Sequence, residues 1–125
     1  MVRNHAVGVC LDGRLLDFVE TESKLMGLAT SCTIRVLAVH LLERWREEGQ
    51  LDVDHDAQPG SGRPRGPYLR YERSVWLNSE EHALLRTYAA GRGLALGAAL
   101  RDALRLEIYA RRVRRGLPVL GDYID

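Results

Sequence analysis

The feature that most constrains this chain is that it repeats itself: displaced by 66 positions, residues 5–46 fall without a gap on residues 71–112. The identities are Val9/Val75, Leu11/Leu77, Thr21/Thr87, Gly27/Gly93, Leu28/Leu94, Ala29/Ala95, Arg35/Arg101 and Arg46/Arg112. Eight identities over 42 positions are few, but apolar character recurs as well, Phe18-Val19 on Leu84-Leu85 and Ile34 on Leu100. The one contiguous match, Gly-Leu-Ala, lies in both halves between two helical stretches. The pattern therefore asks for two copies of one small unit.

A unit of about 45 residues is too small to hold a core alone, and 125 residues with 46% apolar content suffice for one ordinary core. The two copies must share it. No apolar run approaches the roughly 18 residues that a membrane span requires. The start, Met1-Val2-Arg3-Asn4-His5, has no apolar stretch of the signal-peptide kind. The expectation is a cytoplasmic protein with no membrane partner.

Cys10 and Cys32 form neither a disulfide framework nor a ligand cluster, and they read as small apolar fillers. His5, His40, His55 and His82 show no paired metal-ligand spacing, so no metal is expected. No nucleophile–base pair, paired-carboxylate site or phosphate loop is present, so no catalytic residue and no cofactor is assigned and an enzyme is not expected. Charge is uneven along the chain. Residues 1–58 hold six Lys/Arg against ten Asp/Glu, and residues 59–125 hold twelve against seven, which implies a basic surface in the second half. Seventeen of the eighteen basic residues are arginine, which suits bidentate phosphate or guanine contacts and equally suits a GC-rich genome.

His5 to Leu11 alternates so that His5, Val7, Val9 and Leu11 share one face of a short strand. Asp12 can cap a helix beginning near Gly13 whose stripe is Leu15, Leu16, Val19 and Met26, widened by Phe18 and Leu25, with Gly27 closing it. Thr30 or Ser31 then caps a second helix with Ile34, Leu37, Ala38, Leu41, Leu42 and Trp45 on one face. The second half replays this order: a strand over 71–77 with Val75 and Leu77 inward, joined by the stems of Tyr71 and Arg73, and a helix opened by Asn78 and Glu81. Its last helix, from about Leu96 to Arg114, carries Leu100, Ala103, Leu104 and Ile108 inward. The run Arg111-Arg112-Val113-Arg114-Arg115 closes it, either on phosphates or on the helix dipole.

These assignments divide the chain into a first unit at 5–48, a Gly-, Pro- and Arg-rich linker at 49–69, a second unit at 70–116 and a tail at 117–125, with one joint core. A strand and two helices cannot cover their own edges. The economical fold is mainly α with a two-stranded antiparallel ribbon, the two units completing one another about a pseudo-two-fold axis.

Gly27-Leu28-Ala29-Thr30-Ser31-Cys32-Thr33-Ile34-Arg35 resembles the inter-helix signature of the ribbon-helix-helix DNA-binding proteins in its Gly, aliphatic, Ser, final hydrophobic and Arg positions. Gly93-Leu94-Ala95-Leu96-Gly97-Ala98-Ala99-Leu100-Arg101 keeps all of these but the Ser, and the signature's Glu is missing from both copies. Val75 to Leu85 also resembles the strand-to-helix junction of that family. With both copies in one chain, the protein is similar to the tandem members found among conjugative-plasmid DNA-binding proteins. The resemblance implies an intramolecular pseudo-dimer of two ribbon-helix-helix units that binds double-stranded DNA. The ribbon would lie in the major groove and the second-helix N-termini would rest on phosphates.

The base-reading face would then be Ala6, Gly8 and Cys10 with Glu72, Ser74 and Trp76. By pseudo-symmetry Gly8 should stand opposite Ser74, Cys10 near Glu72 and Ala6 near Trp76. Such a face offers few donors, where the family commonly carries long polar side chains. Phosphate contacts would come from Arg3, Asn4, Arg63, Arg65, Arg70 and Arg73 and from the amides around Thr30-Ser31 and Leu96-Gly97. Arg35 and Arg101 are expected in hydrogen bonds or ion pairs near the helix starts. The functional expectation is a transcriptional repressor or a plasmid or mobile-element accessory factor. The alternative is a ribbon-helix-helix scaffold that has lost DNA binding and docks a protein, or a second copy, through the apolar face around Trp76. An antitoxin role fits less well, because the tail after Gly116 is only nine residues.

Overall fold

The computed structural model describes residues 3–48 and 70–116, with only the backbone of Arg3 and Arg70. The linker assigned to 49–69, with Arg63 and Arg65, and the tail at 117–125 lie outside the described residues. The order is β1 (Arg3–Asp12), α1 (Gly13–Met26), α2 (Thr30–Glu47), β2 (Arg70–Asn78), α3 (Ser79–Arg92) and α4 (Leu96–Arg114). The helix bounds repeat at the same displacement as the sequence. α1 and α3 begin and end 66 residues apart, and so do the starts of α2 and α4. Among the described residues, no single helix is long and apolar enough to cross a membrane.

The repeated chemistry at each junction explains these shared bounds. Asp12 accepts the Leu15 amide at 2.8 Å and opens α1. Asn78 accepts the Glu81 amide at 2.8 Å, and Glu81 returns to the Asn78 amide at 2.9 Å, a reciprocal box that opens α3. Each helix closes on a glycine in the left-handed region, Gly27 at φ 69° and Gly93 at φ 68°, which a residue with a Cβ adopts only under strain. The following Leu28 and Leu94 amides reach back to the Ser23 and Ala89 carbonyls at 3.1 and 2.9 Å. Gly-Leu-Ala thus recurs because all three residues act at the reversal. The glycine turns the chain, the leucine amide seals the old helix, and Ala29 or Ala95 caps the next.

The strands pair antiparallel with Ala6 opposite Trp76, Val7 opposite Val75, Gly8 opposite Ser74 and Cys10 opposite Glu72, the register that pseudo-symmetry called for. Pairing is irregular only between Arg3 and His5. Val7, Val9, Leu11, Val75 and Leu77 are buried on one face, and the helices cover them in a single core with Leu37, Leu41, Leu85, Leu100 and Leu104 among its fully enclosed side chains. The architecture is therefore mainly helical with one two-stranded antiparallel sheet.

Three expectations about packing are corrected. Leu25 does not widen the α1 stripe; it is 66% exposed. The buried positions of α1 are Leu15, Leu16, Val19 and Glu22, so the last turn of the stripe is a carboxylate and not Leu25. Neither Thr30 nor Ser31 caps α2: the cap is Ala29, with no side-chain bond, because the glycine reversal places the helix start one residue earlier. The inner face of α4 holds the predicted Leu100, Ala103, Leu104 and Ile108 but also buries Arg101, Asp102, Arg105 and Glu107. Trp45 is half-buried and meets the Tyr88 ring edge-on at 5.2 Å.

Candidate nucleic-acid interface

Alternation along a paired strand sends every second side chain away from the core, and here it sends out the six positions assigned to the reading face. Ala6, Gly8, Glu72, Ser74 and Trp76 are exposed and Cys10 is half-buried. Trp76 is 54% exposed, large for an indole beside a strand with small neighbours. Polar groups on this face are the Ser74 hydroxyl, the Trp76 indole N–H and the Glu72 carboxylate. The face can accept from a cytosine amino group, donate at two points and stack or wedge with one aromatic ring.

The helix starts fall into two kinds. α1 and α3 are capped by Asp12 and Asn78 side chains, whereas Ala29 and Ala95 give α2 and α4 no side-chain acceptor and neither first turn carries an acid. The first intrahelical amides to find carbonyls are Thr33 to Ala29 at 2.9 Å and Ala99 to Ala95 at 2.8 Å. The N–H groups of Thr30, Ser31 and Cys32, and of Leu96, Gly97 and Ala98, thus precede the hydrogen-bonded turns with the positive end of each dipole behind them. The start of α4 sits directly on the ribbon. A Cβ built on Gly97 would lie 2.5 Å from the Gly8 carbonyl oxygen. The two assigned groups, ribbon face and α4 start, are therefore neighbours in space.

The assigned phosphate contacts fare unevenly. Asn4 is exposed in the irregular stretch of β1. Arg73 is half-buried and turns back along its own strand, donating from Nη1 to the Glu72 carbonyl at 2.9 Å. The Arg3 and Arg70 side chains, Arg63 and Arg65 lie outside the described residues. Arg35 is held as expected, in a bidentate pair with Glu81. Arg101 makes no hydrogen bond or ion pair among the described residues, which corrects the expectation for it: Glu81 is the N3 residue of α3, and the corresponding residue of α1 is Leu15, which has no acceptor.

Sequence reasoning missed two clusters. At the ribbon's edge, the His5 ring stacks on His82 with centroids 4.4 Å apart, and its Nε2 lies 3.3 Å from the Ser79 hydroxyl. His82 titrates below its ordinary value, first through desolvation and then through the charges of His5 and Arg86. At the far end of α4, the arginine run neither caps a dipole alone nor stands free. Arg115 grips buried Glu22 with both terminal nitrogens, Arg111 donates from Nε to fully buried Glu107 at 2.8 Å, and Arg112 lies over the Phe18 ring. Hydrogen bonding to Glu22 raises the pKa of Arg115. His40 Nδ1 also meets Glu107, at 2.9 Å. The signal for this network was Glu22 and Glu107 on otherwise apolar helix faces, each an acid in a core position.

Among the described residues, no group of three or more His, Cys, Asp or Glu side chains is placed to hold a metal ion. Compared with families, characterised proteins and solved structures, the chain matches none of them.

Proposed function

We propose that this chain is a tandem ribbon-helix-helix protein, an intramolecular pseudo-dimer that binds double-stranded DNA as a transcriptional repressor or a plasmid or mobile-element accessory factor in the cytoplasm. One observation carries the reading: the ribbon register leaves Ala6, Gly8, Cys10, Glu72, Ser74 and Trp76 on one outward face, and uncapped α4 begins against its middle at Gly8. Ala6 and Gly8 keep strand β1 flat, so the ribbon can enter a major groove to backbone depth. The amides of Thr30-Ser31 and Leu96-Gly97 would take backbone phosphates, and Ser74, Trp76 and Glu72 would supply a small amount of base discrimination. Affinity would then rest mostly on phosphates, and preference on few bases.

Titration of random duplex DNA across a salt series tests this directly. Log affinity should fall linearly with log salt, by a slope of about 0.9 for each phosphate neutralised. No binding at about 50 mM salt would end the DNA reading. Because the outer residues of the two strands differ, the preferred site should have unlike half-sites; equal affinity for symmetrised sites would count against that.

The exposure of Trp76 beside Ala6 favours the second reading, a ribbon face that docks a protein or a second copy. Trp76→Ala separates the two. Altered sequence preference belongs to groove binding, and unchanged DNA affinity with altered self-association belongs to a protein interface.

A further inference from the structure

The duplication lets each buried charge be compared with its counterpart one repeat away. Arg35 of α2 is neutralised by Glu81 of α3, Nε to Oε1 at 3.2 Å and Nη2 to Oε2 at 2.7 Å. Arg101 of α4 is the same residue one repeat later and is only 6% exposed. Position 15, where an equivalent acceptor would stand, is Leu15. Among the described residues Arg101 makes no hydrogen bond and no ion pair.

Its ionisable neighbours are Asp12, Cys10 and Asp102; the two carboxylates favour its charge through space, but neither makes a hydrogen bond or close ion pair with it. Asp12 accepts the Leu15 amide, and Asp102 receives the Tyr88 hydroxyl at 2.7 Å and Arg92 at 2.8 Å. Burial accordingly pushes the guanidinium pKa down. Enclosed N–H donors without acceptors are costly, and native proteins keep them only where something compensates the loss.

The position of Arg101 says from where compensation can come. Gly97, one helical turn earlier on the same face of α4, lies on the Gly8 carbonyl. Cys10, near Arg101, is the next outward residue of β1 after Gly8. Arg101 therefore stands at the margin of the ribbon face, one turn inside the uncapped α4 start. No nitrogen of its guanidinium is among the fully enclosed atoms that lack a hydrogen bond, so the 6% of the residue left exposed is where an anion would approach.

We propose that Arg101 is the receptor for one phosphate group, an oxyanion from outside the chain that takes the place Glu81 takes for Arg35. The planar guanidinium offers two parallel N–H donors, which match two phosphate oxygens as they match a carboxylate. The phosphate can come from a duplex backbone or from a free phosphate ion. The first source rests on the DNA reading above and the second does not.

The full-length protein should be melted in rising inorganic phosphate, with chloride adjusted to hold ionic strength constant. Wild type should gain about 5 °C at a phosphate concentration tenfold above its dissociation constant. Arg101→Gln should lose that gain and Arg35→Gln should keep it. If Arg101→Gln does not fold, Arg101→Lys makes the same test, since it keeps the charge and loses the two parallel donors, and the melting gain should shrink. Equal gains in wild type and Arg101→Gln, or no gain in wild type, overturn the proposal. A duplex arm separates the sources. A loss of about tenfold in affinity for unrelated duplexes in Arg101→Gln assigns the phosphate to the DNA backbone. Unchanged duplex affinity with the Arg101-dependent melting gain assigns it to the free ion. A protein that binds no duplex and still shows that gain loses the DNA reading and keeps this one.

Discussion

Gly97→Ala is the substitution on which the placement of α4 depends. In a first helical turn, glycine to alanine ordinarily stabilises by up to about 1 kcal/mol, since alanine has less backbone entropy to lose. Here the added Cβ would lie 2.5 Å from the Gly8 carbonyl oxygen, where ordinary contact begins at 3.4 Å. Both atoms belong to backbone or are fixed to it, so no side-chain rotation relieves the overlap, and α4 must retreat from β1 by about 0.9 Å. Overpacking of this kind costs about 1–3 kcal/mol, and after a propensity gain of about 1 kcal/mol the net loss should reach up to about 2 kcal/mol. In urea, with a slope of about 2 kcal/mol per molar, the midpoint should fall by up to about 1 M at unchanged slope. Gly91→Ala is the control: the residue lies in α3, its Cβ would meet nothing within 4 Å, and its midpoint should rise. If Gly97→Ala raises the midpoint as much as Gly91→Ala does, α4 does not ride on β1 as described. The position 66 residues earlier is Ser31, whose Cβ bars α2 from an equally close approach to β2.

Glu107→Gln should destabilise by about 3–5 kcal/mol in urea titration, because it leaves Arg111, His40 and, at 3.8 and 3.9 Å, Arg44 and Arg114 around an uncharged amide; a loss below about 1 kcal/mol would contradict a role for that carboxylate as anchor. The pKa of His82 is lowered in the fold, so the unfolded chain takes up the proton first, and stability should decline as pH falls through 6.5 and be restored above it. The ring is half-buried against His5, and the decline should flatten in His82→Gln; a steeper dependence in that variant would refute the assignment. Trp76→Ala should leave stability within about 0.5 kcal/mol, since 54% of the residue is already exposed, while changing the affinity or sequence preference of whichever partner the ribbon face takes.

Local chemistry was legible in the sequence wherever it depends on nearby residues. Asp12, Asn78 with Glu81, Gly27 and Gly93 act at the caps as their types require, over spacings of three to five residues. Strand alternation likewise fixed the ribbon register, because a slip of one residue would turn Val7, Val9, Val75 and Leu77 outward. What was not legible depends on residues far apart in the chain. Glu22 meets Arg115 across 93 residues and His40 meets Glu107 across 67, so no local pattern announces either pair. The arginine run at 111–115 resembles a surface feature for that reason, and the acids that claim it sit in helix stripes where periodicity expects leucine. Arg101 misleads for a subtler reason. Its repetition of Arg35 suggests a repeated ion pair, but an ion pair repeats only if both partners do, and Leu15 does not repeat Glu81.

That last difference shows how a duplicated chain can divide labour between its halves. Among the positions that stayed alike, Gly27/Gly93 turn the chain at a helix end and Val9/Val75 lie in the shared core. Of the positions that diverged, five lie at the ribbon or at the helix ends beside it: Ala6 against Glu72, Gly8 against Ser74, Cys10 against Trp76, Ser31 against Gly97 and Leu15 against Glu81. Three of these make the first strand small, and a fourth, Gly97, uses that smallness to bring α4 onto β1. The fifth removes the acid that would have neutralised Arg101. The first half of the ribbon thus presents small residues beside a guanidinium that makes no hydrogen bond, and the second presents Trp76, Ser74 and Glu72 beside a guanidinium held by a carboxylate. A symmetric dimer of either unit would carry two copies of one such surface, whereas this chain holds two unlike ones; on the DNA reading proposed above, that would set a half that meets the phosphate backbone against a half that reads bases through side chains.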